Sequence, residues 1–479
     1  MELDKDLLAR QEARALVAAA KSAQKTLATF SQKQLDAIVE AMADGFSGQA
    51  ERLAELAVKE TGFGNVADKI TKNRFASQTV AQAVGPMKTV GILSEKEGLW
   101  EIGVPKGVIA AIVPSTNPTS TVCYKAIIAL KAGCTIVFSP HPKAAGCTRE
   151  AVAIVSEAAR SAGAPAGAIS CLSIPSMDGC RELMGSDGIG LILATGGPAL
   201  VKAAYSSGRP AIGVGAGNGP AYIHPSADMG KALDAICRSK TFDNGTVCAS
   251  EQSIVIQRGQ ERCLREEGSR RGFYFLDEHQ AGALGKLLFR DDGSLNPKVV
   301  GKTAIYLAEL SGFSVPKDTK VLVAREEAAG TAYPYSMEKL CPVLALYVME
   351  NEEKVLEICQ QVLRHEGAGH TFSIHATDKA VIRRFAENIP VSRFLVNTPA
   401  ALGGVGLTTE LFPALTLGCG AIGGSASSNN ISPMDLIDVR RVAWGRAERA
   451  EVPELPDTSG QLEELVELLT EKILRRLDG

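Results

Sequence analysis

Hydrophobic residues in the first sixty positions recur at three- and four-residue spacings, the period of a helix with one buried face. Leu7, Leu8, Ala15, Leu16 and Ala19 form one series; Leu35, Ile38, Val39, Met42, Leu53, Leu56 and Ala57 continue it. The spacing predicts amphipathic helices with these residues turned to the core. Short polar and apolar pieces over 90–104, with Gly98 and Gly103 at their joints, predict a hairpin. From 107 onward the pattern changes. Apolar runs at 107–113, 135–138, 168–174, 190–194 and 210–214 have the length and composition of buried strands, and helical stretches separate them. That alternation predicts an α/β fold on a doubly wound parallel sheet. Ligands of such sheets sit beyond the carboxyl ends of the strands. The binding side is therefore expected at loops 114–118 (Ser115, Asn117), 139–142 (Ser139, His141, Pro142) and 195–198 (Thr195, Gly196, Gly197).

Downstream the chain repeats the α/β alternation with more charge. A polar helix over 258–276, strands at 320–324 and 344–348, and a helix over 352–364 are expected. Between the two portions lies 241–252, Thr-Phe-Asp-Asn-Gly-Thr-Val-Cys-Ala-Ser-Glu-Gln, running into the strand-like 253–256. Gly245 lets the backbone turn sharply and could leave the Cys248 sulfur accessible, a setting for a nucleophile. A free cysteine is also among the most buried residue types, so the local sequence leaves both readings open. A dinucleotide fingerprint is missing: Gly213, Gly215, Gly217 and Gly219 alternate without spelling it. Gly418-x-Gly420-x-x-Gly423 spells it formally but runs into a Ser- and Asn-rich loop. His365-Glu366 and His370 are separated by glycines, so no helical zinc face forms and no metal is expected.

Composition narrows the class. At 479 residues two or three domains are expected, and a net charge of −3 gives no electrostatic case for nucleic acid. No secretory signal is readable at the start, and no apolar run approaches the ~20 residues of a membrane span. Eleven cysteines without a C-x-x-C pair argue against a disulfide framework. The expectation is a reduced cytoplasmic protein that contacts neither nucleic acid nor membrane.

Asn117 in a loop after a buried strand, Cys248 after Asn244-Gly245, and Glu338-Lys-Leu340-Cys-Pro-Val343 stand in an order that resembles the aldehyde dehydrogenase superfamily over roughly residues 1–445. Leu340 takes the position where that family's motif has an aromatic. The branch is read from departures. The segment 214–218, Val-Gly-Ala-Gly-Asn, lacks the glutamate that activates water in hydrolytic members. Ser139-Pro-His141-Pro142 stands where the family holds the cofactor ribose with K-P-x-E. With Gly369-His370-Thr371 and Cys248-Ala-Ser-Glu-Gln252, these look like the coenzyme-A-acylating branch.

The resemblance implies that Cys248 attacks an aldehyde and that Asn117 and the Cys248 N–H hold the oxyanion. It further implies that Glu338 holds the nicotinamide ribose, and Thr195, Gly196 and Gly197 the pyrophosphate of NAD. Ser115, Ser139, His141, Pro142 and Leu340 are grouped with the cofactor contacts. His370 would position or deprotonate the thiol of coenzyme A. The expected substrate is a short-chain aldehyde, propionaldehyde before acetaldehyde. Expected parts are a dinucleotide-binding domain over 1–240 with the hairpin, a catalytic thiol domain over 241–430, and a strand over 431–447 that builds a homodimer or homotetramer.

Beyond these, 448–460 reads as a linker, with a capping box over 458–461. In 461–479, Leu462, Leu465, Val466, Leu469, Ile473 and Leu477 line one helix face, with Arg475 and Arg476 at its end. This tail is similar to the peptides that load enzymes into bacterial microcompartments; an oligomer-stabilising helix would use the same stripe. Two other functions stay open: a hydrolytic aldehyde dehydrogenase, which needs a base that 214–218 lacks, and a non-catalytic relative, which has no use for an accessible thiol near an amide donor.

Overall fold

The computed structural model describes residues 4–445 and 459–477. N-terminal helices lead into β1 (Gly91–Lys96) and β2 (Leu99–Pro105), the expected hairpin. In the first helix, Lys5–Leu27, the stripe is not the expected one. Leu7 and Leu8 are exposed, and Ala15 and Ala19 also face outward. The buried residues are Ala9, Ala13, Val17, Ala20, Ala23 and Leu27. The reason is close approach: a Cβ on Gly179 would lie 3.2 Å from that of Ala9, a spacing that admits alanine and not leucine. In the next two helices Leu35, Ile38, Val39, Met42, Leu53 and Ala57 are buried as expected, with Leu56 half-buried.

Five parallel strands follow: β3 (Val108–Ile112), β4 (Ile136–Ser139), β5 (Ile169–Cys171), β6 (Ile189–Thr195) and β7 (Ala211–Val214), ordered β5-β4-β3-β6-β7. The chain winds outward from β3 in one direction and returns to wind the other way from β6. The switch point therefore lies between the carboxyl ends of β3 and β6, at loop 113–117 and at Thr195. Helix Pro118–Lys131 is buried along its whole length. Its Lys125 donates to the Ile112 carbonyl at 2.8 Å and the Leu193 carbonyl at 2.9 Å, tying the helix to both strands that flank the switch point. Burial without a counter-ion pushes this ammonium down to about 7.

The second sheet has seven parallel strands: β8 (Gly219–Ile223), β9 (Glu251–Gln257), β10 (Phe273–Phe275), β11 (Val321–Arg325), β12 (Val343–Met349), β13 (Gly369–His375) and β14 (Val391–Val396). Their order is β10-β11-β12-β9-β8-β13-β14. Alternate residues serve opposite layers, as strand geometry requires. Tyr222, Val255, Ala345 and Tyr347 belong to one core, and Ala221, Ile254, Leu344 and Leu346 to the other. The chain enters this sheet at Gly219, so β8 and helix Met229–Thr241 belong to its layers. A division at 240 would cut through them; the crossing lies within 214–219.

A smaller unit, residues 92–102 with 440–445 and 459–477 among the described residues, is formed by most of the three-stranded sheet β1-β2-β15, where β15 is Ile437–Ala443, and by helix Ser459–Leu477. Within it Trp100 and Trp444 pack edge to face with centroids 4.8 Å apart. Residues 448–458 of the expected linker over 448–460, with Thr458 of the capping box, lie outside the described residues, and the helix already includes 459 and 460. Among the described residues no helix is long and apolar enough to cross a membrane.

Candidate active site

Asn117 sits where loop 113–117 turns into helix Pro118–Lys131, with Pro118 at the first helical position where its missing N–H costs nothing. The Asn117 side chain reaches the segment before Cys248: Nδ2 is 3.5 Å from the Thr246 carbonyl and 3.3 Å from Thr116 Oγ1. Three consecutive left-handed residues, Asp243 (φ 48°), Asn244 (φ 52°) and Gly245 (φ 77°), turn the chain from helix Met229–Thr241 into the cysteine loop. Asp and Asn tolerate this region better than other side chains. Gly245 has no alternative, since a Cβ there would meet the Cys341 backbone at 2.9 Å.

Cys248 is half-buried. Burial raises its thiol to about 12, and the nearby Glu338 and Cys419 push the same way, while Arg393 opposes them. The resting sulfur is a protonated thiol. Segment 214–218 lies directly against the loop: a Cβ on Gly217 would fall 1.9 Å from the Cys248 carbonyl oxygen and 3.2 Å from His370 Cε1. No residue of this segment carries a carboxylate, and Gly217 N donates to Glu338 Oε1 at 2.9 Å. Burial, then the carboxylate of Glu366, raises Glu338 to about 8. Glu366 Oε2 accepts the Glu338 N–H at 2.6 Å and fixes that turn.

His370, the second residue of β13, is fully buried. Burial, then Arg393, holds it well below the usual imidazole range, so the ring is neutral. Nδ1 is 2.8 Å from Thr371 Oγ1, and Nε2 has no partner. Arg393 Nε donates to the same hydroxyl at 3.4 Å. Arg393 takes one acceptor site of the Thr371 hydroxyl, whose proton is free to point at Nδ1, an arrangement that puts His370's own proton on Nε2. His370 is then set to donate a hydrogen bond.

On the cofactor side, Thr195 ends β6 with its Oγ1 buried and unpartnered. Gly197 caps helix Pro198–Tyr205, with nothing within 4 Å of its Cβ position. An unsatisfied hydroxyl beside an open helix start fits a pyrophosphate. Ser115 lies in the switch-point loop. Ser139 is buried at the end of β4, and its carbonyl accepts from Val113 N at 3.1 Å. His141 and Pro142 are exposed at the end of the same strand, where His141 Nδ1 accepts the Lys143 N–H at 3.1 Å. Leu340 (φ 45°) turns its carbonyl to Gly301 N at 2.9 Å. The structure thus gathers Cys248, Asn117, His370 and Glu338 around the cysteine loop and Gly217; Thr195 and Gly197 occupy the end of the first sheet.

Sequence reasoning passed over Lys69, Lys72 and Asp243. Lys69 and Lys72 are 3 % and 5 % exposed, on helix Val66–Arg74, and both donate to Asp243 Oδ2, at 2.9 and 2.6 Å. Lys72 also reaches Asn117 Oδ1 at 2.6 Å. The available signal was the three- and four-residue spacing of Lys69, Lys72 and Asn73, which puts them on one helix face. Arg393 on β14 was passed over too; it is buried and donates to the Gly418 carbonyl at 2.7 Å.

A model of the aldehyde dehydrogenase family matches residues 6–267. The bifunctional aldehyde-alcohol dehydrogenase AdhE of Escherichia coli (strain K12) is 43% identical over 440 residues, 90% of this chain and 49% of that protein. This chain therefore spans about half the length of that relative. The crystal structure of an acetylating aldehyde dehydrogenase from Geobacillus thermoglucosidasius has 48% identity and a TM-score of 0.92, covering 94% of this chain and 100% of that one. A propionaldehyde dehydrogenase from the fucose utilisation microcompartment of Clostridium phytofermentans has 29% identity and a TM-score of 0.81, with 91% and 98% covered. With the family model spanning more than half of its length and a 48% identical structure matched from end to end, the chain belongs to the aldehyde dehydrogenase family.

Proposed function

We propose that this chain oxidises a short-chain aldehyde to the acyl-coenzyme A thioester with NAD. The observation that carries the reading is that segment 214–218, whose Gly217 packs against the Cys248 peptide, carries no carboxylate to activate water. Cys248 gives its proton to solvent and adds as the thiolate to the aldehyde carbon, and the oxyanion accepts hydrogen bonds from Asn117 Nδ2 and the Cys248 N–H. Thr195, Gly197 and Glu338 would hold NAD, which would accept the hydride leaving the former aldehyde carbon. Cys248 is left as a thioester, and the thiol of coenzyme A displaces it through the same oxyanion hole. His370, donating from Nε2, positions the incoming thiol. The name of the 48% identical structure favours a two-carbon acyl group and that of the 29% identical one a three-carbon group. We order acetaldehyde before propionaldehyde on that weight.

NADH formation from either aldehyde is expected to depend on coenzyme A beyond a single turnover per Cys248. Sustained turnover without it would mean that water releases the acyl group, and the hydrolytic reading would replace this one.

The tail supports a second proposal, loading into a microcompartment. Leu465, Val466, Leu469 and Ile473 are each more than half exposed along helix Ser459–Leu477, and the Clostridium phytofermentans relative comes from such a compartment. Deleting 452–479 is expected to leave turnover and the oligomer, which we assign to β15, intact while abolishing co-sedimentation with assembled shells. If the deletion dissolves the oligomer, the helix belongs to the assembly instead.

A further inference from the structure

The oxyanion hole proposed above works only if the Asn117 amide presents nitrogen, not oxygen, to the substrate. Nothing within the side chain decides this, because its two arms have nearly the same shape. The deciding group is Lys72. An ammonium only donates, so the Asn117 atom 2.6 Å from Lys72 Nζ is the oxygen. Nδ2 is thereby turned to the opposite side, toward Thr246.

Lys72 is itself locked. Its three protons meet three acceptors: Asn117 Oδ1, Asp243 Oδ2 at 2.6 Å and Thr246 Oγ1 at 3.2 Å. Asp243 is held as firmly. Its Oδ2 also accepts from Lys69 Nζ at 2.9 Å and Thr246 Oγ1 at 2.6 Å, and its Oδ1 from Asn65 N at 2.9 Å. Its placement needs a left-handed backbone, and at Gly64 (φ 73°) a residue without Cβ, since one there would lie 1.8 Å from Oδ1. Burying this cluster and straining its backbone both oppose folding. A tether between helix and loop could be built from apolar side chains. An ammonium is required only if charge or donor direction matters.

We propose that Lys72, held by Asp243, is a positioning residue for the oxyanion hole: it fixes the orientation of the Asn117 amide and strengthens Nδ2 as a donor. The inference rests on the oxyanion role of Asn117 in the function proposed above. Lys72 acts through Asn117 and does not touch the substrate. The groups facing it are Asp243, Thr246 and the Phe242 ring from the cysteine loop, Lys69 and Asp68 from its own helix, and Asn117 from the switch-point loop.

The test is the burst of NADH on mixing enzyme and NAD with aldehyde, in wild type, Asn117→Ala, Lys72→Met and the double variant. Asn117→Ala is expected to slow the burst ~10²- to 10³-fold. Lys72→Met should lose most of the same factor in rate with little change in aldehyde KM, and the double variant should match Asn117→Ala within about twofold. Iodoacetamide alkylation of Cys248, which forms no oxyanion, should stay within about twofold of wild type in Lys72→Met. If the double variant multiplies the two losses, or Lys72→Met keeps the wild-type burst while Asn117→Ala loses it, the positioning role is overturned and the proposed reaction stands. A harmless Asn117→Ala would remove the oxyanion role itself and this inference with it. Should Lys72→Met fail to fold, wild type and Asn117→Ala are compared across pH. Burial lowers Lys72 to about 8, so the wild-type burst should weaken above that pH relative to Asn117→Ala; parallel profiles overturn the proposal.

Discussion

Cys248→Ala is expected to abolish aldehyde oxidation, by ~10⁴-fold or more, because the loop holds no other thiol to form the covalent thioester. Stability should change by less than about 1 kcal/mol, since removing the half-buried sulfur leaves no closed cavity. The same residue sets a pH dependence. Its thiol is raised to about 12 by burial and by Glu338 and Cys419, so at neutral pH it is protonated. Raising the pH removes that proton and increases reactivity. Iodoacetamide alkylation of the wild type should therefore climb about tenfold per pH unit from neutral pH into the alkaline range, with no plateau before the protein unfolds. Cys248→Ala should remove this phase and leave alkylation at exposed Cys263 and half-buried Cys171. Loss of the phase with activity retained would show that the thiol is accessible without being the nucleophile.

Much of the architecture is legible in the chain because parallel strands buried on both faces read as continuous apolar runs. The runs that become β3, β4, β6 and β7 stand out for that reason, and so do the loops beyond their ends. The first helix was misread where the signal depends on size: its buried stripe is mostly alanine, and the larger Leu7 and Leu8 drew the assignment one position aside. The crossing at Gly219 was hidden because β8 has the same apolar character as the first sheet's strands, and only its pairing with β9 and β13 tells them apart.

The site divides in the same way. Cys248, Asn117 and Glu338 are visible through a motif order. Their support is not. Lys69 and Lys72 on a polar helix read as a solvated face, and what buries them is Asp243, 171 residues away from Lys72 in sequence. Arg393 lies in a strand whose other residues read as core, and its role depends on carbonyls of loop 418–428. Long-range polar partners leave no periodicity for a sequence to display.

Gly217→Ala is the sharpest test of how the loop is held. Nothing about its backbone demands glycine, since its φ lies outside the left-handed region; the demand is space. An added Cβ would sit 1.9 Å from the Cys248 carbonyl oxygen, 2.8 Å from its carbon and 3.2 Å from His370 Cε1. None of these neighbours is the free end of a flexible side chain, so the loop must move by more than about 1 Å, a misplacement that alone costs about 10²-fold in rate. The same movement displaces the Cys248 N–H, one of the two oxyanion donors, and strains the hydrogen bond from Gly217 N to Glu338. Together these are expected to lower kcat/KM by ~10³-fold, with a stability loss of about 1–3 kcal/mol from overpacking. Gly215→Ala, two residues away with open space at its Cβ position, should keep wild-type stability. If Gly217→Ala retained activity within about tenfold, the contact that excludes a side chain here would be loose enough to admit one. The absence of a side chain at 217 would then no longer follow from packing, and water would have room to compete for the thioester.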